Sequence, residues 1–152
     1  MNVPCFNAQT IEIIVKILSE KITGSQITQM FANFQLHDDL GPKGTKWKRL
    51  FNAVVQKQNS TNNGHALCQI IEWVMNPVAH LLSEKLRETY AQTRQELNSV
   101  LAFSGIQLTD EGKLTLGSKI HSHTEAIQRL DSLKKSLEPF HIHPRLLAVC
   151  RP

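Results

Sequence analysis

Four histidines have the spacing that most suggests chemistry in this 152-residue chain. His121 and His123 form one His-x-His pair, and His141 and His143 form a second, with Cys150 nearby. Residues two apart in an extended segment point to the same side, so each pair could hold a metal ion. A predicted helix of roughly 20 Å separates the pairs, so all four cannot meet at one ion. We interpret them as surface or capping histidines and predict no metal and no cofactor.

A second candidate lies in residues 76–80, Asn-Pro-Val-Ala-His. RNases of the HEPN class carry an arginine followed several residues later by a histidine. Here Met75 stands where that arginine would be, and the positive group that would stabilise a phosphorane-like transition state is missing. We therefore predict a junction between helices and no catalytic role for His80. The sequence also has no glycine-rich phosphate loop, nucleophile elbow or zinc-protease histidine pair, so it does not predict an enzyme.

A group of cations is the strongest binding candidate in the sequence. It comprises Lys43, Lys46, Lys48, Arg49 and Lys57, around the start and outer face of a predicted third helix. A helix N-terminus favours anions, and lysines add sequence-independent contacts to phosphates. The net charge of +4 permits a nucleic-acid partner without requiring one. The alternative interpretation is a solvated helix face, on which Lys46 and Arg49 point away from the apolar stripe.

Apolar residues repeat at helical spacing four times in the first half of the chain. The predicted inward faces are Ile11, Ile14, Val15, Leu18 and Ile22; Ile27, Met30, Phe31 and Phe34; Trp47, Leu50, Phe51, Val54 and Val55; and Leu67, Ile70, Ile71, Val74 and Met75. Asn7 or Thr10 caps the first helix, and Gly24 suits the left-handed residue after its end. Ser25 is the predicted cap of the second helix and Thr45 that of the third. Residues 36–44 and 58–64 are predicted to be exposed loops.

The second half begins at Asn76-Pro77, which either interrupts the fourth helix or opens a long fifth one. Gly105 is predicted to end that helix. Alternating Ile106, Leu108, Leu114 and Leu116 then predict a β-hairpin. A sixth helix is predicted to start at Ser122 or Thr124 and to stop before Pro139, with Ile127, Leu130, Leu133 and Leu137 facing inward.

These elements predict a mainly α protein, a compact bundle of about six helices with one short β-hairpin near residues 106–116. Hydrophobic residues make up 41% of the chain, an ordinary value for a domain with a buried core. We predict one domain over residues 1–140 and the start of a linker or further helical domain over 141–152. Three widely spaced cysteines, no membrane-length apolar run and no signal-peptide layout predict a cytoplasmic protein without a membrane partner.

Several stretches carry a family resemblance. They are residues 22–27 (Ile-Thr-Gly-Ser-Gln-Ile), 45–53 (Thr-Lys-Trp-Lys-Arg-Leu-Phe-Asn-Ala), 75–78 (Met-Asn-Pro-Val), 97–105 (Leu-Asn-Ser-Val-Leu-Ala-Phe-Ser-Gly), 110–114 (Asp-Glu-Gly-Lys-Leu), 142–144 (Ile-His-Pro) and 150–151 (Cys-Arg). In these stretches the chain resembles the N-terminal region of a bacterial family often labelled Ymh-type, which is linked to abortive infection. None of them is a chemical motif, so the resemblance speaks to kinship and not to mechanism.

The resemblance implies a sensor, regulatory or docking role, because the N-terminal region of that family typically precedes a HEPN-like domain. The sequence stops at Pro152, about where that domain would begin. We predict a non-catalytic regulatory or protein-interaction module of an anti-phage, toxin-type protein, whose partner is a HEPN-like effector domain or a second copy. Leu146, Leu147 and Val149 form its predicted interaction surface. The alternatives are a DNA- or RNA-binding domain using the basic helix at residues 43–57, and a small metal-dependent or RNase-like enzyme.

Overall fold

The structure is a computed structural model in which residues 3–80 and 84–117 are described, the side chains of residues 79, 80, 85 and 86 excepted. The chain divides into two compact units, Met1–Ala79 and His80–Pro152, here called the N-terminal and C-terminal units. The boundary between them falls inside the single domain predicted over residues 1–140. The predicted sixth helix and the predicted linker at 141–152 lie outside the described residues.

The described part of the chain is mainly helical, as predicted, with one small antiparallel sheet. Its elements are α1 (Ala8–Ser19), α2 (Gly24–Phe34), α3 (Lys46–Thr61), α4 (His65–Val74), α5 (Pro77–His80), α6 (Glu84–Leu101), a 3-10 turn (Ala102–Ser104), β1 (Ile106–Leu108) and β2 (Leu114–Leu116). Five of the helices have ten residues or more, and α5 is a single four-residue turn. No helix in these ranges combines the length and the apolar content needed to span a membrane.

The start of α2 differs from the prediction. Thr23 is its N-cap: the Thr23 hydroxyl accepts the Gln26 amide at 3.2 Å, and the Gln26 side chain accepts the Thr23 amide at 2.8 Å. This reciprocal pair satisfies two amides that a helix start otherwise leaves without partners. Gly24 is therefore the first residue of α2 and not the left-handed end of α1, and Ser25 is not the cap.

The core of the N-terminal unit lies between its four long helices. α1 packs against α3, and α4 contacts α1, α2 and α3. The most deeply buried apolar side chains are Ile11, Ile14, Val15, Leu18, Ile27, Met30, Leu50, Val54, Leu67, Ile70, Ile71 and Met75. The inward faces predicted for α1 and α4 are thus confirmed, because every predicted residue on them is buried.

The inward face of α3 is rotated relative to the prediction. Its buried residues are Arg49, Leu50, Ala53, Val54 and Gln58, two of them polar. Trp47, Phe51 and Val55, which we predicted to face the core, are only half-buried along one edge of the helix. The difference arises because Arg49 and Gln58 both find hydrogen-bonding partners inside the unit, so their burial leaves no polar group unpaired.

The predicted loop at 58–64 is shorter than expected, because α3 continues to Thr61 and only residues 62–64 lie between α3 and α4. The buried Gln58 amide accepts the Phe6 backbone N–H at 2.9 Å and donates to the Phe6 carbonyl at 2.8 Å. The Gly64 amide donates to the Val3 carbonyl at 2.9 Å. These bonds hold the N-terminal segment, residues 3–6, against the end of α3, and Val3 and Phe6 are buried there. Asn7 then caps α1, which decides between the two predicted caps.

The C-terminal unit is described through α6 and the hairpin. Gly105, with φ of 72°, turns the chain out of the helical segment, as predicted from its position. β1 and β2 then pair antiparallel with Leu108 opposite Leu114, which confirms the predicted hairpin. The Asn98 side chain on α6 accepts the Leu108 amide at 2.6 Å and donates to the Leu108 carbonyl at 3.0 Å. One side chain therefore fixes the hairpin to the helix.

Replacing Asn98 with aspartate is expected to destabilise the C-terminal unit by about 1–3 kcal/mol at neutral pH. The change replaces the donor facing the Leu108 carbonyl with a charged oxygen, so one bond becomes a repulsion. Protonation of the new carboxyl restores a donor, and the loss is expected to shrink as pH falls towards 4. Urea unfolding and amide exchange at Leu108 measure it. Gln107→Glu, at an exposed position on β1, is the control. Equal losses of stability in both variants would refute the role of Asn98 in fixing the hairpin to the helix.

Candidate binding site

The cations that we predicted to bind nucleic acid do not form one surface. Lys46 and Lys57 lie eleven residues apart on α3, about three turns, so they flank the buried Leu50 and Ala53 on one side of the helix. Lys46 donates from Nζ to the Ile22 carbonyl at 3.1 Å. Lys48 is exposed and lies about 200° round the helix from Lys46. Lys43 is exposed in the loop before α3, and Lys57 is half-buried.

Arg49 has a structural role that contradicts its predicted position on the outer face. Its side chain is 1% exposed, and it donates from Nη2 and Nε to the Asp38 carboxylate at 2.7 and 3.3 Å. Nη1 donates to the Gly24 carbonyl at 3.2 Å, and Nη2 also donates to the Thr28 hydroxyl at 2.9 Å. The guanidinium lies 5.7 Å from the centre of the Phe31 ring. Arg49 thus joins α2, α3 and the intervening loop, and it presents no surface to a phosphate.

A different group of side chains meets at the surface between α1 and α3. The Lys16 Nζ lies 4.4 Å from the centre of the Trp47 ring, and the Lys48 Nζ lies 5.8 Å from it. The Phe51 ring contacts Trp47 edge-on, with 6.4 Å between ring centres and 71° between planes. Glu12 is 3.5 Å from Lys16. We call these five residues the Trp47 cluster.

The geometry of the Trp47 cluster follows from the helices that carry it. Lys16 and Glu12 are one turn apart on α1, and Trp47 and Phe51 are one turn apart on α3. Because α1 packs along α3, the lysine of one helix is brought over the indole of the other. Two lysines and one glutamate leave the cluster with net positive charge. An aromatic surface beside exposed cations suits a planar or apolar ligand that also carries negative charge.

The sequence did contain a signal for this cluster that our interpretation missed. Trp47 lies between two lysines, Lys46 and Lys48, and Phe51 follows it by one helical turn. We assigned both aromatic residues to the core because they fit the apolar stripe of α3. A stripe shifted by one position, with Arg49 inside, places the aromatic pair at the edge instead. Lys16 could not be assigned to the site from sequence, because its position depends on the packing of α1 on α3.

Other predicted site residues lie outside the described part of the chain. They are His121, His123, His141, His143 and Cys150 of the histidine candidates, Leu146, Leu147 and Val149 of the interaction surface, and the side chain of His80. Within the described ranges, no group of three or more histidine, cysteine, aspartate or glutamate side chains is arranged to hold a metal ion. The Trp47 cluster is therefore the candidate that the described geometry supports.

The two cysteines in the described ranges are free thiols, Cys5 exposed and Cys68 buried. Burial, together with the smaller effect of the nearby negative charge of Glu72, raises the pKa of the Cys68 thiol to about 11. The reactive form of cysteine is the thiolate, which is scarce at neutral pH when the pKa is this high. Cys68 is therefore a packing residue of α4 and not a nucleophile.

Comparisons of this chain with protein-family models, with curated proteins and with solved structures gave no match. The resemblance to the Ymh-type family thus stays a prediction from the sequence. An assignment of function has to start from the Trp47 cluster and from the folded frame that positions it, with the resemblance as a supporting argument.

Proposed function

We propose that this chain is a non-catalytic regulatory or protein-interaction module of a bacterial anti-phage, toxin-type protein. The observation that carries the proposal is the half-buried aromatic pair Trp47 and Phe51, held between α1 and α3 with lysines beside it. Tryptophan is among the residues that most often dominate binding energy at protein surfaces. A large aromatic side chain positioned on a packed helix offers contact area at little cost in conformational entropy.

The partner in this proposal is a HEPN-like effector domain or a second copy of the chain. The support is the resemblance of residues 22–151 to the N-terminal region of Ymh-type proteins, in which such a domain typically follows. Leu146, Leu147 and Val149 belong to the proposed contact as well. We place the module in the cytoplasm, since the free thiols of Cys5 and Cys68 suit a reducing compartment.

The experiment that tests the proposal measures association of the full chain with itself and with a separately produced HEPN-like domain of a Ymh-type protein. Light scattering over a range of concentrations reports the first, and calorimetric titration reports the second. Replacing Trp47 with alanine is expected to weaken the association about 30-fold, the effect of losing one strong interface residue. Phe34→Ala, which removes a half-buried aromatic ring from α2, is the matched control. A chain that stays monomeric and does not bind the effector domain rules the proposal out.

Nucleic-acid binding is the second candidate function, and one observation favours it. Lys16 and Lys48 are both held at the Trp47 indole, so cations and a stacking surface occur together. Lys43, Lys46 and Lys57 remain candidate phosphate contacts outside this cluster. Lys46 donates to the Ile22 carbonyl, Lys57 lies about three turns along α3 from Lys46, and Lys43 is in the loop before α3. Arg49 is not included, because its buried guanidinium donates hydrogen bonds to Asp38, Gly24 and Thr28.

A further inference from the structure

We infer that the Trp47 cluster binds single-stranded nucleic acid, with a base stacked on the Trp47 indole and the neighbouring phosphates contacted by Lys16 and Lys48. This inference rests on nucleic-acid binding, the second candidate function above, since it names the strand form and the contacting residues for the same surface. It differs from the sequence-based hypothesis in its residues: Lys16 and Trp47 enter the site, and Arg49 leaves it.

One aromatic ring and two ammonium groups lie side by side in the Trp47 cluster. The Nζ atoms of Lys16 and Lys48 lie 4.4 and 5.8 Å from the centre of the Trp47 ring. A nucleotide carries its negative phosphates beside a planar base, so a base stacked on the indole brings its phosphates near both lysines. Stacking on aromatic side chains combined with lysine contacts to the backbone is the general means by which proteins bind single strands.

The cluster is also accessible to an anion. The Lys16 side chain is 47% exposed, and its partner Glu12 is 43% exposed at a distance of 3.5 Å. Exposed pairs of this kind one turn apart on a helix are weak, so a phosphate can replace Glu12 as the partner of Lys16. Lys48 is exposed and lies farther from the ring than Lys16 does. Its ammonium group is the more easily displaced when a base approaches the indole.

The positions of the α3 lysines distinguish this ligand from duplex DNA. The lysines of α3 do not align along one outer face, as a helix inserted in the major groove requires, because Lys46 and Lys57 flank the core side. A single strand exposes unstacked bases and phosphates together, and it is the polymer whose chemistry matches the cluster.

The test uses the full chain carrying Trp73→Phe, which leaves Trp47 as its only tryptophan. Titration with a twelve-base oligothymidylate is expected to quench the fluorescence of Trp47 in a saturable way, because a stacked base quenches indole emission. Two phosphate contacts predict a slope of about −1.4 for the logarithm of the binding constant against that of salt concentration. The same sequence in duplex form is expected to quench less.

Two sets of variants distinguish the contribution of base stacking to the affinity from the contribution of the phosphate contacts. Trp47→Ala is expected to weaken binding about 5- to 150-fold, the range for loss of one stacked base. Lys16→Gln with Lys48→Gln is expected to remove most of the salt dependence. Both lysines are exposed, so this second variant keeps the test informative if the Trp47→Ala chain fails to fold. Lys113→Gln, an exposed lysine in the hairpin turn, is the matched control and is expected to leave binding unchanged.

The outcomes also separate this inference from the proposed function. Binding that leaves Trp47 fluorescence unchanged, or that survives the Lys16→Gln and Lys48→Gln double change with its salt dependence intact, overturns the inference. So does a chain that binds no oligonucleotide at low salt. If in that case Trp47→Ala still weakens association with the effector domain, the proposed function stands and only the nucleic-acid ligand is rejected.

Discussion

Replacing Arg49 with methionine is expected to lower the free energy of unfolding of the N-terminal unit by about 2–4 kcal/mol. The change leaves the Asp38 carboxylate without its cation and leaves the Gly24 carbonyl and the Thr28 hydroxyl without their shared donor. Breaking a buried ion pair from one side costs about 3–5 kcal/mol. The expected loss is smaller than for a fully buried pair, because the Asp38 side chain is 20% exposed and water can partly solvate it.

Urea unfolding followed by circular dichroism measures this loss, and two further variants test its cause. Lys48→Met removes an exposed cation from the same helix and is expected to change stability by less than about 0.5 kcal/mol. Adding Asp38→Asn to Arg49→Met is expected to recover part of the loss, because the two residues are coupled. An Arg49→Met chain as stable as the Lys48→Met chain would contradict the structural role of Arg49.

This prediction bears on how the binding experiments are designed. A variant that combines Arg49 with Lys46 and Lys48 would lose binding through unfolding, whether or not these residues contact a ligand. Charge on the surface has to be tested with Lys16, Lys48, Lys43 or Lys46, and each variant has to be checked for its helical content first.

Gly64→Ala is expected to destabilise the N-terminal unit by roughly 2–3 kcal/mol, the upper part of the range for overpacking. A Cβ atom at this position would lie 2.6 Å from the Pro4 carbonyl oxygen and 2.7 Å from the Phe6 ring. Relief of that overlap requires the N-terminal segment to move, which strains the bonds from Gly64 to Val3 and from Gln58 to Phe6.

Gly24→Ala is the matched control for this change. The nearest atom to a Cβ at Gly24 is Nη1 of Arg49, at an ordinary 3.7 Å, and Gly24 occupies the first turn of α2. Alanine there is expected to be neutral or to stabilise by up to about 1 kcal/mol, since it favours helix and restricts the unfolded chain. Thermal unfolding of the two variants side by side is the measurement. Equal stabilities would show that residues 3–6 do not pack on Gly64 as described.

The sequence predicted those parts of the fold in which apolar spacing alone decides the structure. All five apolar residues assigned to the inward face of α4 are buried, and the hairpin has its strands at Ile106–Leu108 and Leu114–Leu116. In both elements the apolar pattern is local, and no buried polar residue shifts the face that packs inward. The cap of α2 was equally readable: threonine followed three residues later by glutamine, as in Thr23 and Gln26, is a known start signal that outweighs Ser25.

The parts that the sequence did not predict depend on polar residues whose partners are distant in the chain. Arg49 is buried because Asp38 and Gly24, 11 and 25 residues earlier, converge on it. Gln58 is buried because it pairs with Phe6, 52 residues earlier. From hydrophobic periodicity alone, polar residues such as these are predicted to be exposed to solvent. Their burial depends on hydrogen-bonding partners that come close only in the folded chain. The Trp47 cluster was missed for the same reason, since the rotation of α3 follows from Arg49.

The attachment of residues 3–6 has a consequence for the order in which the protein folds during synthesis. Residues 3–6 are held by Gln58 and Gly64, which are synthesised more than fifty residues later. Val3 and Phe6 therefore stay exposed until α3 and the turn after it have emerged, and only then does the N-terminal unit close. Long-range contacts of this kind slow folding, because a large loop must be closed before they form. Residues 3–6 therefore cannot reach their native position until α3 and the turn that follows it are present.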